Sequence, residues 1–399
     1  MSRVGQAGRR SSRARGAWRA ALCAGALTML AACTGTGDIF SSTPQAPPTP
    51  ATVGTGDIKV GLILPLSAPG NAGVAAQSMK NAADMALAEF NNPNIQLLIK
   101  DDGGTAQGAQ FAAQQALAEG AEIIIGPLFA HSVGVVGQAA RTRGVPVIAF
   151  STDANVATRG IYLLSFLPES DVDRIVEYAV QHGKRSFVAM IPDNAYGTVV
   201  EAAFKQAAAR RGARIVALER YPLDPNQMAG PAGRVAQAAR SADALFIPDG
   251  ADAVPVVVQA LATAGLQPRR LQLLGTGLWD DARIFNDANL AGAWYAAPDP
   301  NGFRNFASRY RSRYGADPLR TATLAYDAVA LVAALVKTQG DQRFSETTLT
   351  NASGFAGIDG IFRFRADGTN QRGLAVMRVA PGGSQIAAPA PRAFVGSGT

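Results

Sequence analysis

Cysteine and histidine are both scarce in this chain, and their scarcity excludes several kinds of chemistry. The 399 residues include two cysteines, Cys23 and Cys33, and two histidines, His131 and His182. A protein zinc site draws three or four ligands from Cys, His and carboxylates, and no segment of the sequence gathers such a set. The Gly-Xaa-Ser-Xaa-Gly element of serine hydrolases and the glycine-rich phosphate loop are also absent. We therefore predict a protein that is not an enzyme and that needs neither a metal nor a cofactor.

Net positive charge is also small outside the N-terminus, although the formal net charge of the whole chain is +7. Six arginines lie within residues 1–32, which contain no Asp, Glu or Lys, so they account for all but one unit of that charge. A nucleic-acid-binding surface requires a basic patch. The nearly neutral remainder therefore argues against a nucleic-acid partner.

The N-terminus has the three zones of a secretory signal. An arginine-rich stretch is followed by the apolar run of residues 20–32, which is shorter than the roughly 20 residues that span a bilayer. The segment Leu30-Ala31-Ala32-Cys33 resembles the lipobox of bacterial lipoproteins. This resemblance implies that residues 1–32 are a signal peptide and that Cys33 becomes an acylated first residue. Cys23 would be removed with the signal, which leaves no cysteine pair for a disulfide.

The rest of the chain divides into a linker and a body. Residues 33–56 are rich in Pro, Ser and Thr without hydrophobic periodicity, which is typical of an extended linker. From residue 57 onward, apolar runs with the length of strands alternate with stretches of helical periodicity, in two domain-sized groups at 57–165 and 170–297. Such alternation predicts an α/β fold of two doubly wound parallel sheets. Two further strands are expected between 361 and 380, completing these two sheets.

Several motifs of the body match a known family in their order and spacing. They are VGLILPLSAPGNAGVAAQSMKNAADMALAEFN (60–91), the pair Asp101-Asp102, IIIGPL (123–128), GVPVIAFSTDANVA (144–157) and IPDNAYG (191–197). Together they resemble the type I periplasmic binding proteins, in the leucine/isoleucine/valine-binding branch. The resemblance implies two lobes joined by a three-strand hinge, with lobe one at 57–166 and 300–355 and lobe two at 167–299 and 356–390. Residues 391–399 would be a tail.

In this family, three loops of lobe one hold the ligand, and here they are 66–71, 129–133 and 151–155. The candidate ligand-binding residues in these loops are Ser67, His131, Ser132, Ser151, Asp153 and Asn155. Unpaired N–H groups at helix N-termini in such loops suit a carboxylate. The alternatives are that the serine hydroxyls cap helices or turns, and that His131 is a hydrogen-bonded loop residue.

Lobe two offers further candidates and one departure from the family pattern. Tyr196 stands where the family places an aromatic residue against the ligand, although a packing role is the alternative. Amino-acid binders carry an acid near the position of Gly277, and Asp280 or Asp249 could replace it. A buried ammonium group without a paired carboxylate is costly, so this departure weighs against an amino-acid ligand.

Two functions remain open from the sequence. The first is the substrate-binding component of an ABC importer, which delivers an amino acid or a similar small polar solute to a membrane permease. The second is a regulator of peptidoglycan synthesis, since IAFSTDANVATRGIYLLSFLPESDVDRIVEYA (148–179) resembles lipoproteins that activate penicillin-binding proteins by contact. In both cases we expect a periplasmic protein held on a membrane by lipid. Because Thr34 rather than Asp follows Cys33, the outer membrane is favoured.

Overall fold

The structure is a computed structural model that describes residues 52–91, 93–222 and 224–394. The predicted signal peptide 1–32, the acylation site Cys33 and the end of the tail lie outside these residues, as does most of the linker. The predicted linker 33–56 extends too far, because Thr52–Val53 forms a strand that pairs with residues 97–98 of lobe one. Within the described ranges, no helix is long and apolar enough to cross a membrane.

Lobe one is built on a six-stranded sheet. Its elements are β1 (Thr52–Val53), β2 (Ile58–Leu64), α1 (Asn71–Glu89), β3 (Ile95–Asp101), α2 (Ala106–Ala118), β4 (Ile123–Ile125), α3 (Ala130–Arg141), β5 (Val147–Ala149) and β6 (Ile161–Leu163). The strand order is β1-β3-β2-β4-β5-β6, and all neighbours except β1 and β3 are parallel. The strands are apolar because helices cover both faces of the sheet.

Lobe two contains a seven-stranded sheet. Its first elements are α4 (Pro168–Gln181), β7 (Ser186–Pro192), α5 (Ala195–Arg210), β8 (Arg214–Tyr221), α6 (Pro225–Ala238), β9 (Ala244–Phe246), α7 (Val254–Thr263), β10 (Gln272–Gly275), α8 (Ala282–Phe285) and β11 (Trp294–Ala297). Strands β8, β7, β9, β10 and β11 lie parallel in that order. The predicted fold of two doubly wound parallel lobes is confirmed.

The later elements are shared between the lobes. They are α9 (Pro300–Tyr314), α10 (Ala322–Thr338), α11 (Glu346–Leu349), β12 (Phe355–Gly357), β13 (Gly360–Phe364), β14 (Asn370–Arg372), β15 (Ala375–Ala380) and β16 (Gly383–Ala388). Helices α9 and α10 pack against α1 in the core of lobe one. Strands β15 and β16 add antiparallel to β11 at the edge of lobe two.

The strands β12 to β14 correct two predictions. They form a separate three-stranded antiparallel sheet instead of extending either large sheet. Phe362 and Phe364 on β13 pack in the lobe-one core with Tyr162. Residues 356–372 therefore belong with lobe one, and the predicted start of the second lobe-two segment at 356 is too early. The expected turn at 366–368 does join β13 to β14, with Gly368 at a φ of 85°.

The chain crosses between the lobes three times, after β6, after β11 and after β14. The first two crossings leave a sheet at the carboxyl end of a parallel strand, so the carboxyl edges of both sheets lie toward the hinge. On β14, just before the third crossing, Asn370 Nδ2 and Arg372 Nε donate to the carbonyl of Ser165 at 2.9 Å each. The Arg372 guanidinium also lies 4.7 Å from the ring centroid of Phe166 and 5.7 Å from that of Phe362.

Two buried carboxylates lie close to this hinge. Asp359 is fully buried and lies 2.6 Å from Arg320, and the Thr323 hydroxyl donates to it at 2.6 Å. Asp327 on α10 accepts the backbone N–H of Ile358 at 2.8 Å. Burial raises the pKa of Asp327 from 3.8 to about 7 against the opposing effect of that hydrogen bond. The folded chain therefore holds Asp327 protonated well above the pH at which the unfolded chain releases the proton.

We expect Asp327→Asn to make the stability of the protein less dependent on pH. Because the folded pKa of Asp327 is raised, the unfolded chain loses its proton first, and the free energy of unfolding falls between about pH 4 and pH 7. Asparagine can still accept from Ile358 but does not titrate, so this fall should be shallower in the variant. Urea unfolding at a series of pH values measures it.

Asp341→Asn serves as the matched control, because the side chain of Asp341 is fully exposed. It should leave the pH profile unchanged. If the stability of Asp327→Asn and that of the unchanged chain depend on pH in the same way, the raised pKa assigned to Asp327 is wrong.

Candidate functional site

Three loops of lobe one meet at one edge of its sheet. They follow β2, β4 and β5, which are neighbouring parallel strands, and β2 lies where the direction of strand order reverses. Helices α1 and α3 start in two of these loops, after Gly70 and Phe129, without a side-chain cap and without an acid in the first turn. The first N–H groups of a helix have no partner within the helix. This edge therefore presents donors and a positive dipole end, which suit an anion.

Two predicted residues belong to the first turn of α3. His131 is exposed, its Nε2 lies 3.1 Å from the carbonyl oxygen of Gly104, and its ring stacks on Phe129. This matches the alternative of a hydrogen-bonded loop histidine. Ser132 is fully buried, and its hydroxyl has no hydrogen-bond partner among the described residues. Ser132 therefore does not cap the helix, and direct ligand contact by its hydroxyl stays a prediction.

The other lobe-one candidates order their own loops. The backbone N–H of Ser67 donates to Asp101 at 3.2 Å, and Asp101 also accepts from Gly103 at 2.9 Å. The Ser151 hydroxyl accepts the N–H of Asp153 at 3.1 Å. The Asp153 carboxylate in turn accepts the backbone and side-chain N–H groups of Asn155, at 3.0 and 2.9 Å. Direct ligand contact by these side chains stays a prediction.

In lobe two, Tyr196 links two loops at the carboxyl edge of the sheet. It lies in the first turn of α5, where the Asn194 side chain caps the helix by accepting the N–H of Gly197 at 2.8 Å. The Tyr196 hydroxyl lies 3.0 Å from the hydroxyl of Thr276, in the loop that follows β10. Burial raises the pKa of Tyr196, so its hydroxyl stays protonated. Tyr196 thus has a packed ring and a polar tip at the predicted cleft.

The two acids predicted to replace the family's amine-binding residue have other partners. Asp249 accepts the hydroxyl of Tyr221 at 2.6 Å and the N–H of Gly250 at 2.7 Å. Asp280 is exposed and accepts the hydroxyl of Tyr295 at 3.0 Å. Neither contact is with Gly277, and direct ligand contact by Asp249 or Asp280 stays a prediction.

The acid beside Gly277 is Asp171, which the sequence analysis did not select. Asp171 Oδ2 accepts the N–H of Gly277 at 2.8 Å, and a Cβ on Gly277 would lie 3.1 Å from the same oxygen. Burial raises the pKa of Asp171 to about 7, although the Gly277 hydrogen bond and the charge of Arg372 lower it. Part of the Asp171 surface stays accessible. The only signal in the sequence was the pair of acids Glu169 and Asp171 in the first turn of α4.

Apolar side chains also border the two carboxyl edges. Val74 in the first turns of α1 is 60% exposed, and Leu278 in the loop after β10 is 48% exposed. Trp279, next to Leu278, is fully buried and donates its indole N–H to the carbonyl of Ile247 at 3.0 Å. No group of His, Cys, Asp and Glu among the described residues has the arrangement of a metal site. The edges therefore offer polar recognition groups beside exposed apolar surface.

Gly275→Ala should destabilise the protein, because the loop that carries Thr276 and Gly277 depends on close packing of Trp279. A Cβ at position 275 would lie 2.2 Å from the indole ring. We expect a loss of about 1–3 kcal/mol in the free energy of unfolding, measured in urea.

Gly233→Ala is the matched control, since it lies inside α6 with no atom within 4 Å of the added Cβ. It should be neutral or stabilise by up to about 1 kcal/mol. Equal effects of the two changes would show that the Trp279 packing is not restrictive.

Curated sequences and solved structures resemble this chain over different lengths. The "Leu/Ile/Val-binding protein homolog 6" of Brucella melitensis is 23% identical over 229 residues, which are 55% of this chain and 58% of that protein. The chain thus spans a little over half the length of the curated relative it matches.

Two solved structures share the fold. A Rhodospirillum rubrum protein, provisionally assigned to a branched-chain amino acid ABC transporter, is 19% identical with a TM-score of 0.71, covering 82% of this chain and 99% of that one. A solute-binding protein of an ABC transporter from Rhodopseudomonas palustris, solved with 3,4-dihydroxybenzoic acid, is 20% identical with a TM-score of 0.55, covering 84% and 98%. At these identities the similarity establishes the fold alone.

The family is shown by a sequence model described as periplasmic binding protein, which matches residues 57–384. That range includes both large sheets except β1 and the end of β16, together with the three crossings and the loops at both carboxyl edges. It therefore covers every element from which the candidate site is built. The chain belongs to the periplasmic binding protein family, and the resemblance to its type I, leucine/isoleucine/valine-binding branch is confirmed.

Proposed function

We propose that this protein is the lipid-anchored, periplasmic substrate-binding component of an ABC importer, and that its cleft binds an amino acid with an apolar side chain or a similar small carboxylate. The observation that carries the proposal is the opposite polarity of the two carboxyl edges. Lobe one presents N–H groups and positive helix ends, whereas lobe two presents a carboxylate and two hydroxyl groups. A ligand with a carboxylate at one end and a cation at the other is complementary to both edges.

The lobe-one edge supports recognition of the carboxylate. Because the helices that start after Gly70 and Phe129 lack side-chain caps, their first N–H groups are available to a ligand. An anion at such a terminus gains hydrogen bonds and the favourable helix dipole together. The ligand of the Rhodopseudomonas protein is also a carboxylate.

The lobe-two edge supports recognition of the ammonium group. Asp171 has one oxygen on the Gly277 N–H and a pKa raised to about 7 by burial. A nearby cation favours the ionised form of a carboxylate. A bound ammonium would therefore pair with Asp171 and displace its proton. In this proposal Asp171, from a different element of the fold, takes the role of the acid that is missing at Gly277.

Val74 and Leu278 support an apolar side chain on the ligand. Both are exposed at the carboxyl edges, one on each lobe. Closure of the hinge around a ligand is a common motion of two-lobed binding proteins, and it would bury such surface. The closed form would then be recognised by a membrane permease. The prediction that the protein is not an enzyme is confirmed, since the family to which it belongs is one of solute-binding proteins.

A thermal-shift screen of the full chain tests the ligand class. The panel holds amino acids, aromatic carboxylates, small amides, nucleobases and muropeptide fragments. A ligand at 100 times its Kd should add about 2.7 kcal/mol to the free energy of unfolding. We expect apolar amino acids to give the shift, and Tyr196→Ala to abolish it. The affinity should fall as the pH is lowered below about 7, because Asp171 must ionise to bind the cation.

The variant Asp171→Asn tests whether Asp171 binds the ammonium group of an amino acid, because other carboxylate ligands lack that group. It should weaken amino-acid binding about tenfold or more while leaving aromatic carboxylates unaffected. Asp341→Asn, at an exposed position, is the control. A panel without any shift would overturn the solute-binding proposal and direct attention to a pull-down with penicillin-binding proteins.

Radiolabelled palmitate tests the proposed anchor. Cells that express the full chain should label the protein, and Cys33→Ser should abolish the label and release the protein from the membrane fraction. Cys23→Ser is the matched control, since Cys23 lies in the segment that precedes the proposed cleavage, and it should retain the label. Label that persists in Cys33→Ser would contradict lipidation at this residue.

A further inference from the structure

A cluster of charged side chains lies where lobe one meets the hinge. Its acids, Asp327 and Asp359, are buried, and its bases are Arg320 and Arg372. Asp359 pairs with Arg320 at 2.6 Å. Arg372 is also buried, and neither of its terminal nitrogens has a hydrogen-bond partner among the described residues. A buried charge is costly unless other charges balance it, so the carboxylates that face Arg372 determine its state.

The guanidinium of Arg372 is fixed beside the start of α4. Its Nε donates to the carbonyl of Ser165 at 2.9 Å, shortly before α4 begins. From α4 itself, Arg174 Nε donates to the carbonyl of Leu374 at 2.9 Å, just after Arg372 in the chain. These two bonds hold the end of β14 against the first turns of α4. Asp171, the acid beside Gly277, lies in the first of those turns.

The charge of Arg372 therefore acts on acids of both lobes. The charged groups that face it are Asp359, Asp327 and Arg320 from lobe one and Asp171 from lobe two. Asp359 is shared with Arg320, and burial raises the pKa of Asp327 to about 7. At neutral pH, Arg372 thus has too little negative charge around it. This shortage favours the ionised form of Asp171.

The other neighbours of Asp171 divide into two groups. Burial and the negative charge of Glu169 oppose its ionisation, and Tyr196 lies close to it in the cleft. The N–H of Gly277 and the charge of Arg372 favour its ionisation. Without Arg372, Asp171 would stay protonated at neutral pH and could not pair with a cation.

We propose that Arg372 is a positioning residue of the cleft, which from the hinge keeps Asp171 ready to ionise when a cation binds. This inference rests on the proposed role of Asp171 as the acid that binds the ammonium group. Because Asp327 faces the same guanidinium, the charge of the lobe-one core and the charge of the cleft are coupled through Arg372. A change at either carboxylate alters the ionisation of the other.

Titration of Asp171 in the ligand-free full chain tests this coupling. Carbon-13 NMR of aspartate carboxyl groups gives the midpoint, and Asp171→Asn identifies the signal. Arg372→Gln should raise the midpoint by about one pH unit, and Arg372→Lys, which keeps the charge, should return it toward that of the unchanged chain. Arg174→Gln is the matched control, since it breaks a bond to the same crossing but its charge is paired with Glu177 at 3.1 Å. It should leave the midpoint unchanged.

Asp327→Asn should move the midpoint of Asp171 in the opposite direction, down by about half a pH unit, because it removes a competing negative charge beside Arg372. Loss of packing alone does not shift a titration in opposite directions in two variants. This variant also decides the question if Arg372→Gln does not fold, which thermal unfolding shows. A midpoint that stays the same in Asp327→Asn and in the folded Arg372→Gln would overturn the inference.

The affinity for leucine separates this inference from the proposed ligand class. Arg372→Gln should weaken leucine binding about tenfold at pH 6 and about twofold or less at pH 9, where Asp171 is ionised in both chains. An equal loss at both pH values would show a structural effect and overturn the inference. If leucine binds at neither pH but the midpoint of Asp171 shifts as expected, the coupling is supported and the amino-acid ligand is wrong.

Discussion

The contacts of one buried arginine hold the hinge of this molecule together. Arg372, just before the third crossing, donates to the Ser165 carbonyl on the first crossing, and its guanidinium lies near the rings of Phe166 on that crossing and Phe362 of the small sheet. Asn370 bonds to the same carbonyl. Because both side chains are buried, water does not compete well for these bonds. These bonds therefore join the first crossing to β14, next to the third crossing.

Charge is distributed unevenly around that hinge. The lobe-one edge carries helix N-termini and no acid in the first turns of α1 and α3. The lobe-two edge carries Asp171 with its proton held by burial up to about pH 7. The protonation state of such an acid depends on the group that approaches it. A nearby cation favours the ionised carboxylate, and an apolar group favours the protonated form. The edge is therefore suited to distinguishing ligands by charge.

The sequence was sufficient to predict the parallel sheets, because runs such as IKVGLIL are apolar along their whole length and are bounded by helical periodicity. It was not sufficient for the pairing of β12 to β14, because their side chains pack in the lobe-one core against β6, which lies about 200 residues earlier in the chain. It also predicted three loops that follow strands of lobe one, and the structure places them at one edge of the sheet, but it did not predict the partner of Gly277. Asp171 is 106 residues from Gly277, and an acid in a first helical turn ordinarily indicates only a helix start.

The interleaving of the chain has a consequence for how the protein folds. Lobe one is completed by residues 300–372, which follow almost all of lobe two, and lobe two is completed by β15 and β16 near the C-terminus. Neither lobe can close its core until nearly the whole chain is available, and most of the contacts that close it join distant residues, which slows folding. A chain of this kind stays unfolded while it is still emerging, and that is the state in which a polypeptide can be threaded through a membrane pore.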